Sequence, residues 1–196
     1  MTDIDKRTIA GLLRGDDAAY LAVINALKHP VHRFALRLCR DSATAEDITQ
    51  QTFLAVWQSI GSFRWRSKFS TWVFGIAYRQ YLLLRRQREH SVETVPLEEW
   101  HQSDRSDVSD LSDLVAQNAE RERIRRAVCA LPDPYREVVC LVYLEGFTCR
   151  EAAEVLDTPI GTVKSRINGA LKILRERLGE SEDQADEKRQ PESSQA

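Results

Sequence analysis

The segment from residue 148 to residue 174 restricts the fold more strongly than any other part of the chain. It reads TCREAAEVLDTPIGTVKSRINGALKIL. Thr148 and Glu151 have the spacing of a capping box, in which each side chain accepts a hydrogen bond from the other residue's backbone N–H. Thr158 before Pro159 indicates a second helix start directly after a tight turn. The pattern therefore predicts a short helix, a tight turn and a second helix.

The predicted second helix has one apolar face and one polar face, and the polar face carries basic side chains. A helix of this kind, preceded by a short helix and a tight turn, docks in the major groove of DNA. An ordinary helical hairpin shares the capping pattern, but the small alanines, the turn spacing and the basic face favour DNA binding. Arg166 is a candidate for reading a guanine edge, and Lys164 and Lys172 are candidates for phosphate contacts. The polar face comprises Thr162, Lys164, Ser165, Arg166, Asn168 and Lys172.

A second stretch, FRWRSKFSTWVFGIAYRQY, mixes aromatic and basic side chains. Between residues 64 and 88 the chain has seven basic residues and no acidic one. Aromatic faces in a cationic groove are the means by which proteins hold unpaired bases. Ser70 or Thr71 is a candidate helix cap here. The apolar residues at helical spacing, which predict one buried face, are Phe69, Trp72, Val73 and Ile76. The rings predicted to lie off that face, beside the cations, are Trp65, Phe74, Tyr78 and Tyr81.

The chain as a whole is predicted to be all-α, with two small helical domains joined by a flexible acidic linker. Eight glycines and six prolines among 196 residues are few for an all-β chain of tight turns. The linker either mimics nucleic acid through its carboxylates, or contacts the basic domain, or is a solvated spacer. The predicted units are a domain over residues 5–91, the linker over 92–114, a domain over 115–178 and a disordered acidic tail over 179–196.

Several helix ends are also predicted from single residues. Asp41 or Ser42 is a candidate cap for the helix that contains ATAEDITQQTFLAVWQ. In the second domain, Pro132 is expected to end the helix that directly precedes it. Pro134 suits the first turn of the helix that follows. Gly146 is expected to end that helix.

Composition and spacing argue against several classes of protein. The net charge is −2, from 28 basic and 30 acidic residues. The N-terminus has no signal-peptide pattern, and no apolar run approaches the roughly 20 residues of a membrane span, so we expect a cytoplasmic protein without membrane insertion. The four cysteines and four histidines have no metal-ligand spacing. We expect the cysteines to be small buried residues, with a thiol sensor as the open alternative. No nucleophile–base pair or phosphate loop is visible, so no enzyme activity, metal or cofactor is expected.

In three segments the chain resembles the extracytoplasmic-function (ECF) sigma factors, the group IV class of bacterial RNA polymerase initiation factors. The segments occur in the family's order and are DSATAEDITQQTFLAVWQSIGSF, FRWRSKFSTWVFGIAYRQYLLLRR and LPDPYREVVCLVYLEGFTCREAAEVLDTPIGTVKSRI. The resemblance implies sigma region 2 in the first domain and region 4 in the second. It implies a subunit that binds core polymerase, recognises the −35 and −10 promoter elements and initiates DNA melting. The implied partners are the β′ clamp helices, the β flap, promoter DNA and an anti-sigma factor that responds to stress or envelope signals, and the protein is expected to be a monomer when free of them.

The resemblance also implies roles for individual side chains. Judged from the residues alone, the rings of Phe53 and Trp57 are equally compatible with a core position. The polar face of the helix-turn-helix is the implied −35 reader. The residues implied in core-polymerase binding are Glu46, Asp47, Gln50, Gln51, Phe53, Leu54 and Trp57. The residues implied in −10 recognition and melting are Arg64, Trp65, Arg66, Ser67, Lys68, Phe74, Tyr78, Arg79, Tyr81, Arg85, Arg86 and Arg88.

At four positions the chain departs from the family's usual residues. Arg79 and Leu83 stand where many members have asparagine and aspartate, and Gly169 and Leu171 stand where members often have arginine. The alternative function is a free-standing helix-turn-helix regulator that binds operator DNA as a dimer without polymerase. A third is an adaptor that has lost DNA binding. The basic and aromatic stretch favours the sigma factor, because a regulator of duplex DNA does not need to hold single strands.

Overall fold

The computed structural model describes residues 4–90 and 111–187, with side chains for residues 4–88 and 120–179. No β-strand occurs in these ranges, which confirms the all-α prediction. The first domain contains α1 (Lys6–Leu13), α2 (Asp17–Cys39), α3 (Ser42–Ser59), a 3₁₀ turn (Ile60–Ser62) and α4 (Phe69–His90). The second contains α5 (Leu111–Cys129), α6 (Asp133–Val139), a π-helical turn (Cys140–Leu144), α7 (Cys149–Val155) and α8 (Ile160–Glu187).

In the first domain, α2, α3 and α4 pack around a shared apolar core. The N-cap of α3 is Asp41, whose carboxylate accepts the backbone N–H of Thr44, so Asp41 rather than Ser42 is the cap. Phe34 of α2 lies wholly buried against Phe74 of α4, with 5.3 Å between ring centroids. Burial of an aromatic ring of this size stabilises a fold by about 1.5–3 kcal/mol.

The start of α4 differs from the sequence-based prediction. The helix begins at Phe69, and both Ser70 and Thr71 lie buried within its first turn, so neither is its N-cap. Phe69, Val73 and Ile76 are buried as predicted, and Trp72 is half-buried against them.

The second domain contains the predicted helix-turn-helix. Thr148 caps α7 through a complete capping box, with 2.8 Å from Thr148 N to Glu151 Oε2 and 3.2 Å from Glu151 N to Thr148 Oγ1. The tight turn places Asp157 in the left-handed region, with φ of 47°. The α8 helix begins at Ile160, and Thr158 donates its hydroxyl to Leu156 O at 3.0 Å instead of capping α8.

Two helices extend beyond the predicted domain boundaries. The α5 helix begins at Leu111, inside the segment predicted as linker, and α8 continues to Glu187, inside the segment predicted as disordered tail. The low hydrophobicity of residues 179–187 favoured disorder. However, a helix that is already packed can continue into a polar segment, because each further residue of fair helix propensity adds a backbone hydrogen bond at little cost. The remaining linker residues 91–110 and tail residues 188–196 lie outside the described residues.

The two domains pack directly against each other. The α4 helix contacts α7, and α2 contacts α6 and the π-helical turn. Phe74 of α4 and Phe147, just before α7, pack against each other with tilted rings and 4.9 Å between centroids. This domain interface decides which predicted site residues are accessible.

Candidate nucleic-acid and polymerase interfaces

The loop before α4 presents cations and one exposed ring. Arg64, Trp65 and Arg66 are exposed, and the Trp65 side chain is 47% accessible. Trp65 has φ of 56°, a conformation that costs a residue with a side chain about 1–2 kcal/mol. Its ring contacts the buried Phe63 at 5.1 Å between centroids. A strained, exposed tryptophan between two arginines has the chemistry to stack on an unpaired base.

The other three rings do not lie where the sequence predicted them. Phe74, Tyr78 and Tyr81 were expected on an open face of α4, and all three are buried. The second domain covers this side of the helix, because Phe147 packs on Phe74 and Glu137 accepts a hydrogen bond from Tyr78. The helical pattern could not reveal this, since a partner domain imposes no periodicity on the face that it covers.

Glu137 lies at the centre of this covered face. It is buried, and burial raises the pKa of its carboxyl group, while the Tyr78 hydroxyl and the Arg166 guanidinium act in the opposite direction. Burial likewise raises the pKa of Tyr78. Arg166, predicted to read a base, is half-buried beside these groups. Residues of both predicted DNA-binding surfaces therefore meet at the domain interface.

Among the residues whose side chains are described, ion pairs of Glu145, Glu151 and Asp133 join the domains, and each has its cation in the first domain and its carboxylate in the second. Arg37 Nη1 lies 2.5 Å from Glu145 Oε1, and the neighbouring Arg33 is 3.6 Å from the same carboxylate. Lys68 Nζ lies 2.8 Å from an oxygen of Glu151. The remaining pair is Arg85 with Asp133, at 3.4 Å.

Glu145 illustrates how burial and pairing compete. Its side chain is almost fully buried in a segment of π-helical turn and loop. Burial raises the pKa of Glu145, and the attraction of Arg37 and Arg33 offsets this only in part. The second domain therefore carries a costly buried charge where it meets the first.

The remaining predicted DNA-binding residues lie mostly at the surface. Arg79 and Arg86 are exposed on α4. Ser67 and Thr162 are half-buried. Arg88 is exposed, hydrogen-bonds Thr44 and lies 3.6 Å from Asp41. The exposed residues of the predicted −35 face are Lys164, Ser165, Asn168 and Lys172.

The exposed face of α3 combines polar and apolar side chains. Leu54 is 51% accessible and Trp57 is 38% accessible, although the Trp57 ring also packs on Tyr20 at 4.8 Å. Phe53, for which a polymerase contact and a core position were both open, is buried in the apolar core. The polar side chains that are exposed on this helix as predicted are Glu46, Asp47, Gln50 and Gln51.

Gly169, one of the departures from the family's residues, has a packing role. A Cβ atom there would lie 2.8 Å from Tyr135 Cε1, so the ring of α6 can approach α8 only over a glycine. The position is thus closed to an arginine side chain while Tyr135 stays in place.

The carboxylates of the domain interface, Glu137 and Glu145, were not among the residues predicted from the sequence. A signal was present, because Arg136, Glu137 and Glu145 interrupt the apolar run PYREVVCLVYLEGF. Charged residues inside an apolar run rarely become buried without a partner. The partner here is the other domain.

Burial determines the chemistry of two of the cysteines. Cys140 is buried, and this raises the pKa of its thiol to about 12, so it is not a reactive thiolate. Burial also raises the pKa of Cys39. Within residues 4–90 and 111–187, no cluster of three metal-ligating side chains occurs. No helix in the part of the chain that the structure describes is long and apolar enough to cross a membrane.

Fold and site define a two-domain helical DNA-binding protein of the helix-turn-helix class. The family model "Sigma-70 region 2" matches residues 23–90, and "Sigma-70, region 4" matches residues 121–174. The two regions together span more than half of the chain. The chain belongs to the sigma-70 family, as a sigma factor of the ECF type.

Curated relatives match over nearly their whole lengths. The ECF RNA polymerase sigma factor SigW of Bacillus subtilis is 28% identical over 180 residues, covering 88% of this chain and 96% of the relative. The ECF RNA polymerase sigma-E factor of Escherichia coli is 27% identical over 176 residues, covering 87% and 92%.

Two solved structures share the fold. The sigma factor RpoE, in complex with the anti-sigma factor NepR from Bartonella quintana, is 25% identical with a TM-score of 0.66, covering 82% of this chain and 96% of that chain. CnrH, in complex with the cytosolic domain of CnrY, is 22% identical with a TM-score of 0.65, covering 89% and 97%.

Proposed function

We propose that this sigma factor uses the α3 face to bind core polymerase, the Trp65 loop to capture the −10 element and the α8 face to read the −35 element. The observation that carries the proposal is the combination of a cationic loop with an exposed, strained tryptophan and a helix-turn-helix in one chain. The domains are region 2 over residues 5–91 and region 4, whose first helix we extend back from residue 115 to Leu111. Catalysis of RNA synthesis belongs to the polymerase, and the place of action is the cytoplasm.

The α3 face supplies a surface suited to a protein partner. Leu54 and Trp57 form an exposed apolar strip, and Glu46, Asp47, Gln50 and Gln51 surround it with polar groups. An aromatic anchor inside a polar rim is the usual anatomy of an interface hot spot. The β′ clamp helices are the proposed partner of this face, and the β flap is the proposed partner of region 4.

Promoter binding requires the two domains to separate. In the closed arrangement Lys68 is held by Glu151, Arg166 lies half-buried beside Glu137, and Phe74 and Tyr78 are covered. The carboxylates of region 4 form ion pairs with cations of region 2, so they compete with DNA phosphates for the same side chains. Polymerase, which holds regions 2 and 4 at separate sites, supplies the free energy for opening.

Anti-sigma control is the proposed regulation. RpoE of Bartonella quintana and CnrH were each solved with a protein partner, and their fold is the fold of this chain. An anti-sigma protein that holds both domains of this chain would keep the polymerase-binding and DNA-binding surfaces covered. Stress or envelope signals are the proposed trigger for its release.

Run-off transcription tests the function. Core polymerase, a template from the factor's own gene neighbourhood and the full chain are mixed, and transcripts are resolved by length. We expect a discrete transcript only when both proteins are present. The free-standing regulator predicts duplex binding without core polymerase and no new transcript, and the adaptor predicts neither. The region 2 match over residues 23–90 favours the sigma factor over both.

A further inference from the structure

A cavity of about 230 Å³ lies at the junction of the two domains. Its walls come from the end of α2, the first turn of α3, the last turns of α4 and the start of α6. Four guanidinium groups line it, whereas Asp133 is the one carboxylate among its described lining residues. The four are Arg40, Arg85, Arg88 and Arg136.

The charge in this cavity is only partly neutralised. Asp133 forms ion pairs with two of the arginines. Its Oδ1 lies 2.5 Å from Arg136 Nη2, and its Oδ2 lies 3.4 Å from Arg85 Nη1. Asp41 lies 3.6 Å from Arg88, outside the cavity lining. Arg40 makes no ion pair among the described residues, and its guanidinium is hydrogen-bonded only to Leu131 O, at 3.4 Å.

Burial makes this excess of positive charge unusual. The Arg136 residue is only 2% accessible, and Arg40 is half-buried. The terminal nitrogens of Arg136 donate to Leu131 O at 2.8 Å and Leu38 O at 3.2 Å as well as to Asp133, but the Nε atoms of Arg136 and Arg40 are buried without a hydrogen-bond partner. Burial and the neighbouring Arg136 both lower the pKa of Arg40, which means that its charge is disfavoured where it lies. A buried guanidinium normally has a carboxylate, a phosphate or another acceptor against it.

We propose that this cavity is a binding site for a small phosphate-bearing anion, and that the bound phosphate holds the two domains closed. Guanidinium groups match the tetrahedral oxygens of phosphate through paired N–H donors. Arg40, Arg85 and Arg88 belong to the first domain and Arg136 to the second, so one phosphate contacts both.

The cavity favours a free phosphate or diphosphate over the phosphodiester of a nucleic acid. A volume of about 230 Å³ accepts a phosphate group. A dianion neutralises two guanidinium groups, whereas a phosphodiester carries one charge. The site would therefore make closure, and with it the availability of the DNA-binding surfaces, depend on the concentration of a small anion.

The test uses the full chain without polymerase and measures binding and closure separately. Phosphate, pyrophosphate and dimethyl phosphate are titrated at constant ionic strength, with ³¹P NMR line broadening for binding and small-angle X-ray scattering for the radius of gyration. We expect saturable broadening by phosphate or pyrophosphate together with a smaller radius of gyration. Dimethyl phosphate, the phosphodiester probe, should bind at least about tenfold more weakly.

Matched variants place the effect in the cavity. Arg40→Gln and Arg88→Gln should each weaken pyrophosphate binding about tenfold or more, whereas Arg7→Gln, at an exposed position of α1 outside the cavity lining, should bind like the wild type. Circular dichroism checks the folding of each variant, and Arg88 on the exposed end of α4 is the safer of the two test positions. Equal binding by all four proteins, or equal binding of dimethyl phosphate, overturns the proposal, as does phosphate binding without any change in the radius of gyration.

Discussion

Arg37 in the first domain and Glu145 in the second form an ion pair across the domain interface, with 2.5 Å between Nη1 and Oε1. The Glu145 side chain is almost fully buried, and Arg33 lies at 3.6 Å on its other oxygen. The negative charge of this buried carboxylate is therefore compensated by arginines of the first domain. Two other carboxylates of the second domain also contact the first domain. Glu137 accepts a hydrogen bond from Tyr78, and Glu151 forms an ion pair with Lys68.

Reversing the charge of Glu145 should open the protein. A lysine there would place a buried cation against Arg37 and Arg33, and an uncompensated buried charge costs about 3–5 kcal/mol. Glu145→Lys should increase the radius of gyration in small-angle X-ray scattering, whereas Glu154→Lys, at an exposed position of α7, should not. Combining Arg37→Glu with Glu145→Lys should restore much of the compact form. An unchanged radius in the single Glu145 variant would show that this pair does not hold the domains together.

The folded protein should lose stability as the pH rises above about 4.5. Burial raises the pKa of Glu137 and Glu145, so the folded protein binds more protons than the unfolded chain from the ordinary glutamate pKa of 4.5 up to the raised values. Stability therefore falls with pH across that window. Below it, the lowered pKa values of Asp41 and Glu151 act in the opposite sense.

Urea unfolding followed from pH 4.5 to pH 8 measures this dependence. Asp133 adds to the rise in the pKa of Glu137. The Arg166 and Arg85 guanidinium groups and the Tyr78 hydroxyl oppose that rise. Glu137→Gln should flatten the slope, and Glu154→Gln should leave it unchanged. A stability that rises through this window in the wild type would contradict the assignment.

Trp65 should be required for capture of the opened −10 strand but not for folding. The side chain is largely exposed, and a lost base–aromatic stack is worth about 1–3 kcal/mol. Trp65→Ala should therefore weaken binding of holoenzyme to a single-stranded −10 oligonucleotide by roughly tenfold to a hundredfold. Leu21→Ala, which removes an exposed apolar side chain from α2, is the control. Equal affinities for the wild type and the tryptophan variant would remove Trp65 from the melting site.

The apolar strip on α3 should contribute to polymerase affinity. Truncation of an interface anchor typically costs about 1–2 kcal/mol or more. Leu54→Ala and Trp57→Ala should each weaken binding to core polymerase about fivefold to thirtyfold in a competition assay. Gln58→Ala, exposed on the same helix, should have little effect. Because Trp57 also packs on Tyr20, the Leu54 variant is the cleaner test of contact. If neither variant binds less tightly, polymerase uses another surface.

Gly169 should tolerate no side chain, in contrast to Gly161 on the same helix. A Cβ at residue 169 would meet Tyr135 at 2.8 Å, whereas nothing lies within 4 Å of a Cβ at residue 161. Gly169→Ala should destabilise the fold by about 1–3 kcal/mol. Gly161→Ala should stabilise it by up to about 1 kcal/mol through helix propensity. Thermal unfolding compares the two, and a stable Gly169 variant would mean that Tyr135 moves aside at little cost.

Local signals predicted the parts of the structure that are stabilised locally. The capping box at Thr148 and Glu151, the Asp41 cap and the buried face of α4 follow from spacing and side-chain chemistry within a few residues. The positions of Phe74 and Tyr78 could not be predicted this way, because the groups that bury them lie some 60–70 residues further along the chain. The sequence left both a core position and a polymerase contact open for Phe53, because its place on α3 fits either one, and the structure places it in the core.

Permanganate reactivity of promoter thymines tests most directly whether this chain is a promoter-melting sigma factor. Unpaired thymines react and stacked ones do not, so the reaction reports the opened region base by base. We expect reactive thymines around the −10 element when core polymerase and the wild-type chain are both present. We expect weak reactivity with the Trp65→Ala variant and none when either protein is omitted. Binding of the chain to duplex DNA without any reactive thymine, in the presence of active core polymerase, would show that the chain does not melt promoters.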